Sequence, residues 1–400
     1  MNRRTVWTLI LATFALHAWP FFLWLSNNGT HERMFVPPPQ DVTANREQPF
    51  LKENFIIPDQ GDRMVHVASI CEMSEGKFVA AWYGGTREGA KDVAIFLSFL
   101  DPRKKGSWTE PEVVVDRSSA SMELYRYIKK VGNPVVFSDP MNRLWMVFVT
   151  IPFGGWSCSS LNVKISDDGG STWTSARRLT LSPFLNISEL VRNNPVPLQD
   201  GGFGVPIYHE FIGYFPEMLW IRLINERNPC IEYGKTRIIG GRDYIQPAVA
   251  VSGERSAFAF YRCRSEKRTV GIGKTVDGGA TWSAAERLEQ ANPDASLDVI
   301  PLSDGRFLMA YNDSFSTREN LKLALSGDRG KSWQAIATLE NSQGQEFSYP
   351  YMIRSRSGDI HLVYTWKRKR IKHVVFNEAW IHFMEKSSME KLFLEKRTAQ

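Results

Sequence analysis

The sequence predicts an all-β, six-bladed propeller preceded by an N-terminal membrane-anchoring helix. Three observations carry the propeller: a recurring hairpin unit, evenly spaced turn glycines, and a second repeated turn that ends in tryptophan. From residue 57 the chain shows few long 3.6-residue periods. Short apolar strands alternate instead with turns of Gly, Asp or Asn.

The first element is the N-terminus. Arg3 and Arg4 precede a stretch, Thr5 to His31, that contains no Asp, Glu, Lys or Arg. Within it Val6–Leu25 is long enough, at about 1.5 Å per helical residue, to cross a hydrocarbon core of about 30 Å. We therefore expect residues 1–26 to be a signal anchor, with a cleaved signal peptide as the alternative. Arg3 and Arg4 would stay in the cytoplasm, with the rest periplasmic, extracellular or secreted. Residues 27–56, containing Pro37-Pro38-Pro39, read as a linker.

The hairpin units occupy 70–85, 135–150, 195–210, 248–263, 299–313 and 352–366. Gly201, Gly253, Gly305 and Gly358 are 52, 52 and 53 residues apart. Such a period marks an array. Six hairpins, each followed by room for two more strands, give six four-stranded blades over 57–386, leaving 387–400 as a tail. Closing the ring hides sheet edges that an open array would expose.

The second repeat reads S/T-x-D-x-G-x-S/T-W at Ser166–Trp173, Thr275–Trp282 and Ser326–Trp333. Asp168, Asp277 and Asp328 would each accept hydrogen bonds inside a self-contained turn. Recurring at the same point of three different blades, they read as punctuation of the fold and not as catalysts.

Composition narrows function. Hydrophobic residues at 43% and charged ones at 23% exclude a disordered chain. The net charge, 49 − 43 = +6, is spread along the sequence and gives no nucleic-acid footprint. Four dispersed cysteines make no disulfide scaffold, although one or two bridges stay open. No metal or nucleotide motif occurs, so no cofactor is expected. Asn28-Gly-Thr30 and Asn186-Ile-Ser188 are glycosylation sequons.

Strand order places residues just before each first strand, and just after each second strand, on one face. That face collects His66, Arg87, Asp92, Asn133, Asn194, His209, Glu210, Gln246, Arg262, Asn312, Arg318, Tyr349, Arg368 and Arg370. An arginine-rich set with carboxylates suits an anionic sugar. Trp82, Trp156 and Trp366 lie near the same rim and offer faces for sugar stacking.

Asp-boxes on a six-fold array resemble the sialidase superfamily, in its bacterial BNR-repeat branch, over roughly residues 57–376. The resemblance implies an exo-α-sialidase-like glycoside hydrolase acting on a glycan with an acidic terminal sugar; the alternative is a carbohydrate-binding propeller without turnover. It implies Asp92 as acid/base, from Arg87-Glu-Gly-Ala-Lys-Asp92, and Tyr349 as nucleophile, from Phe347-Ser-Tyr-Pro-Tyr351. A neutral tyrosine avoids charge repulsion with a substrate carboxylate. Arg262 and Arg318, with Arg87 beside them, would clamp that carboxylate. His66 stands where the family has an arginine, with Arg63 nearby, and is expected to become cationic toward acid pH. Gln246 stands where the family has a glutamate, and Glu210 is the acid that could replace it. Asn194, Asn312 and Arg370 complete the expected substrate contacts.

Overall fold

The computed structural model describes residues 2–27, 33–39, 48–59, 61–104, 106–183, 186–224, 230–239 and 242–398. Six antiparallel sheets stand around one axis. Their inner strands are Met64–Glu72, Lys130–Ser138, the split pair Leu190–Val191 and Val196–Pro197, Tyr244–Gly253, Asp298–Pro301 and Phe347–Arg354. Each inner sheet region touches the next, and the sixth touches the first, so the ring closes.

Each blade is covered on both faces by its neighbours. Strands near the axis therefore need apolar side chains on both sides, which is why Leu144–Ile151 (LWMVFVTI) is buried along its whole length. The third blade's inner strand breaks between Val191 and Val196, where Pro195, lacking an N–H group, cannot donate to a ladder.

Closure uses the N-terminal segment. Leu51–Phe55 pairs antiparallel with Arg370–Phe376 and becomes the outer strand of blade 6. These residues read as linker in the sequence because their partner lies more than three hundred positions away. Arg370, expected at the substrate, instead fastens this seam: its Nε donates to the Ile57 carbonyl at 3.1 Å, and its guanidinium lies 3.4 Å from the Phe55 ring centre. Trp366 packs edge-on against the same Phe55, and Trp82 is fully buried and presents no face to a sugar. Phe35 also docks, fully buried, and bridges to Leu198.

The ends differ from expectation in two ways. Arg3–Asn27 forms one helix, α1, but among the described residues no helix is long and apolar enough to cross a membrane. At the other end Glu378–Thr398 is helical, with Ile381 buried against blades 5 and 6. The segment read as a tail is mostly the end of that helix.

The Asp-boxes connect third and fourth strands, as expected. In each, the aspartate accepts from the hydroxyl two residues before it and from the backbone N–H four residues after it: 2.7 and 2.8 Å at Asp168, 2.8 and 2.9 Å at Asp277, 2.8 and 2.9 Å at Asp328. Hydrogen bonds from Thr172 and Ser166 hold the Asp168 carboxyl at about 2. Gly330, at φ +86°, belongs to the last box; a Cβ there would meet Phe260 of the preceding blade at 2.4 Å. The box thus interlocks blades as well as turning the chain.

All four cysteines are free. Asn186 is buried and donates to the Leu179 carbonyl at 2.7 Å, so that sequon is closed to glycosylation. Asn28 lies outside the described residues.

Candidate functional site

Four inner strands share a device at the end opposite the Asp-boxes. Their ladders slip between His66 and Ser69, Gly132 and Val135, Ile245 and Ala248, and Ser348 and Tyr351. A non-glycine residue with positive φ sits in each slip: Val67 (54°), Asn133 (46°), Gln246 (53°) and Tyr349 (56°). β-Bulges re-aim side chains and recur beside active sites. Here they turn Gln246 and Tyr349 out of the sheet register and toward the axis.

Tyr349 stands at the centre. The His66 ring meets it edge-on at 4.7 Å between centroids. The guanidinium carbons of Arg192 and Arg318 lie 5.3 and 5.6 Å from its ring centre, within cation–π range. Tyr83 flanks His66 at 5.9 Å and Trp156 at 6.4 Å, linking the centre to a half-buried tryptophan on the rim. Gly132 leaves room for that indole, since a Cβ there would lie 2.9 Å from it.

Arg262 and Gln246 form the second part. Arg262 Nε donates to Asp294 Oδ1 at 2.6 Å and its Nη1 to Gln246 Oε1 at 3.2 Å; Gln246 Nε2 donates to the Tyr208 hydroxyl at 3.1 Å. Burial alone would lower the Arg262 pKa, but Tyr349 and Asp294 outweigh it and raise it. Arg318 donates to the Asp294 carbonyl at 2.7 Å and to Glu346 at 3.4 Å. Arg368 bonds Glu346 at 3.3 Å and Glu88 at 2.5 Å. Arg262, Arg318 and Arg368 are therefore already held by internal acids.

Glu210 sits beside this group. Burial raises its carboxyl pKa, Arg264 and Arg262 pull it down less, and Asp294 adds to the rise. Asp92 behaves oppositely. It is exposed, accepts from the Thr86 N–H and hydroxyl at 2.9 Å each, and lies 3.7 Å from Arg63. A slight burial cost is outweighed by those contacts, which hold its pKa below the usual carboxylate value. Arg87 is an exposed residue of the same loop.

His66 departs from its expected behaviour. It is buried, with Nδ1 3.1 Å from the Thr365 hydroxyl. Burial first, then Arg368, Arg318 and Arg192, push its pKa well below the ordinary histidine value. It stays neutral through mild acid and does not replace a clamp arginine. Asn194 and Asn312 also serve the fold. Asn194 donates to the Met352 carbonyl and accepts from the Tyr351 hydroxyl, both at 3.0 Å. Asn312 ties down the Asn320 and Phe347 carbonyls.

The structure thus gathers His66, Gln246, Arg262, Arg318 and Tyr349, with Glu210 adjoining. It does not bring in Asn194, Asn312 or Arg370, and leaves Arg87 and Asp92 on an exposed loop. Sequence reasoning missed Arg192, Asp294 and Glu346. One usable signal was present: Asn133-Pro134, Gln246-Pro247 and Tyr349-Pro350 enter equivalent strands, and Asn194-Pro195 follows Arg192 closely.

Six blades, Asp-box turns and a tyrosine ringed by arginines at one end of the axis define a sialidase-type propeller. The chain belongs to the BNR repeat-like domain family, whose model matches residues 76–362. Among solved structures it is similar to the Hadza microbial sialidase Hz136, at 15% identity and TM-score 0.64, covering 78% of this chain and 65% of that one. The chain therefore spans just under two thirds of that sialidase. It is similar to a protein of unknown function from Dyadobacter fermentans at 13% identity and TM-score 0.65, over 82% of this chain and 99% of that one. The leech intramolecular trans-sialidase gives 13% and 0.60, over 79% and 68%. At such identities the likeness establishes the fold. No curated protein matches the chain.

Proposed function

We propose that the protein is a glycoside hydrolase that removes an acidic terminal sugar from a glycan outside the cytoplasm. The observation that carries this reading is Tyr349, held at φ +56° on the axis with two guanidiniums and the His66 ring around it. In the first step the Tyr349 oxygen bonds the anomeric carbon and gives up its hydroxyl proton as the glycosidic C–O bond breaks, and the leaving oxygen takes up a proton, so that the aglycone departs as an alcohol. Water then displaces the tyrosine, its oxygen bonding the anomeric carbon and one of its protons restoring the phenol. A neutral nucleophile suits a sugar that carries a carboxylate at or near the reacting carbon.

Two carboxyl groups compete for the proton-transfer role. A general acid must keep its proton near neutrality, which favours Glu210, whose pKa is raised, over Asp92, whose pKa is lowered. Asp92 could act only after leaving Thr86. Arg318 and Arg262 supply the positive side of the site. Engaging a substrate carboxylate requires exchange with Glu346 and Asp294.

That same pairing favours a second reading, a propeller that binds glycans without cleaving them. The deciding experiment is a panel of fluorogenic glycosides with neutral and acidic terminal sugars, run beside calorimetric binding of the same sugars. Hydrolysis of an acidic member, abolished by Tyr349→Phe with binding retained, supports the hydrolase. Binding without turnover supports the second reading.

A further inference from the structure

Arg192 is among the largest fully buried side chains in the molecule, at 1% exposure, and no carboxylate forms an ion pair with it among the described residues. Its hydrogen bonds go to carbonyls. Nη1 donates to Ala68 O at 3.3 Å; Nη2 donates to Tyr349 O and, at 3.0 Å, to Pro350 O. These three carbonyls share one property. Ala68 lies in the ladder slip between His66 and Ser69, and Tyr349 and Pro350 lie in the slip between Ser348 and Tyr351. A bulge leaves backbone groups without ladder partners, and a buried orphan carbonyl is costly. One guanidinium from blade 3 therefore caps the bulges of blades 1 and 6 across the axis.

The cap also contacts the side chains that these bulges aim. Its guanidinium carbon lies 5.3 Å from the Tyr349 ring and 5.5 Å from the Tyr351 ring, one residue to each side of Pro350. Burial draws the Arg192 pKa down, with Asp298 foremost among the groups that hold it up. Its Nε has no partner among the described residues. A charge kept in the core on these terms is expensive for stability alone, and its geometry explains what it secures.

We infer that Arg192 is the positioning residue for Tyr349: by capping the carbonyls of Tyr349, Pro350 and Ala68 it fixes the left-handed bulge that holds the tyrosine on the axis beside His66. The inference rests on reading Tyr349 as the nucleophile. Only a planar fork spans carbonyls from two strands. A point-like ammonium reaches fewer of them, and a carboxamide offers only one donor group.

The test uses Arg192→Lys and Arg192→Gln in the full chain, with Tyr349→Phe as reference and melting temperature measured on each. The assay is an acidic fluorogenic glycoside, with kcat expressed per folded protein. Arg192→Gln should lower kcat by roughly 100-fold, the scale for a nucleophile misplaced by about 1 Å, while KM changes about twofold or less. Arg192→Lys should recover part of that loss. A kcat per folded protein equal to wild type in both variants overturns the inference, whatever happens to the melting temperature. Should Tyr349→Phe turn over normally, the hydrolase reading falls separately, and a crystal structure of Arg192→Lys decides the positioning. Tyr349 shifted away from His66 supports the cap, and Tyr349 unmoved at positive φ refutes it.

Discussion

His361 Nδ1 and His373 Nε2 lie 3.0 Å apart in the seam between blades 6 and 1, and Trp108 Nε1 lies 3.3 Å from His373 Nδ1. An indole N–H can only donate, so His373 Nδ1 accepts. Its proton is then on Nε2, which donates to His361 Nδ1. Both rings are neutral in this chain, and Phe78 of blade 1 stacks on His361 at 4.0 Å. Adding a proton to His373 Nδ1 would set it against the indole N–H.

This arrangement predicts acid sensitivity. Burial lowers His361 to about 4, and burial plus His361 lowers His373 to about 3. An unfolded histidine titrates near 6.5, so below that pH the unfolded chain binds protons that the folded chain refuses. The contribution is intact above 6.5 and is lost as pH falls toward 4 and 3. At pH 5 each ring removes about 2 kcal/mol. Buried His66 adds to the same trend, whereas Glu189, raised by burial, acts in the opposite direction. Comparing wild type with His361→Phe isolates the pair. Melting at pH 7.5 and pH 5 should show a smaller difference in the variant; equal differences would refute the seam's role.

How much of this was legible in sequence follows from the range of the interactions. Hairpins and Asp-boxes are local, closed by residues two to four positions apart such as Ser326, Asp328 and Ser332, so the propeller could be read directly. Tyr349, Arg262 and Arg318 were found because they flank such local units. Arg192 was not, because its partners Ala68 and Tyr349 lie far from it in the chain. The carboxylates that occupy the arginines, Asp294 and Glu346, are hidden for the same reason. Leu51–Phe55 alternates weakly and carries no turn, so nothing nearby marks it as a strand.

That strand gives the second prediction. Removing residues 1–32 should leave a folded propeller, because Phe35 and Leu51–Phe55 remain. Removing residues 1–56 exposes the Arg370–Phe376 edge and strips Arg370 of the Phe55 ring on which its guanidinium lies, an arrangement prone to edge-to-edge pairing. Size-exclusion chromatography should show a monodisperse shorter deletion and an aggregated longer one. A soluble, monodisperse second deletion would contradict the closure.

Asp294 provides the third. It bonds Arg262 at 2.6 Å and Arg264 at 2.8 Å, and lies 3.6 Å from Arg268. Asp294→Ala leaves Arg262 buried and unpaired, the situation that costs about 3–5 kcal/mol when a buried pair loses one partner. Chemical denaturation should register a loss toward the lower end, since Arg264 and Arg268 are partly exposed. A bound acidic sugar should restore part of it by taking the vacated place. Unchanged stability would show that Asp294 is not the counter-charge of this site.

Asp328→Ala should act on the fold alone. The carboxylate accepts from Ser326, Lys331 and Ser332, all in one solvent-facing turn. Exposure limits the cost to about 1–2 kcal/mol. The melting temperature should fall while affinity for an acidic sugar stays the same; lost turnover at unchanged melting temperature would point to a catalytic aspartate after all.

The proton donor is the most discriminating case, because Glu210 and Asp92 make different forecasts. A donor must be protonated to help the leaving oxygen, so kcat/KM falls as pH rises through its pKa. With Glu210 that fall comes at a higher pH than for an unperturbed glutamate, since burial raises the group. With Asp92, held below its usual value by Thr86 and Arg63, the fall would come earlier and leave little activity at neutral pH. Leaving-group chemistry separates them further. A nitrophenolate departs without a proton, whereas a sugar hydroxyl needs one. Glu210→Gln should therefore lose about 100- to 10,000-fold on a sugar leaving group and far less on a nitrophenyl glycoside, and its alkaline limb should vanish. Asp92→Asn should change both substrates by similar small factors. If Asp92→Asn instead shows the leaving-group dependence, the loop carrying Asp92 swings in on binding, and Glu210 is a structural neighbour of Arg262 and Arg264.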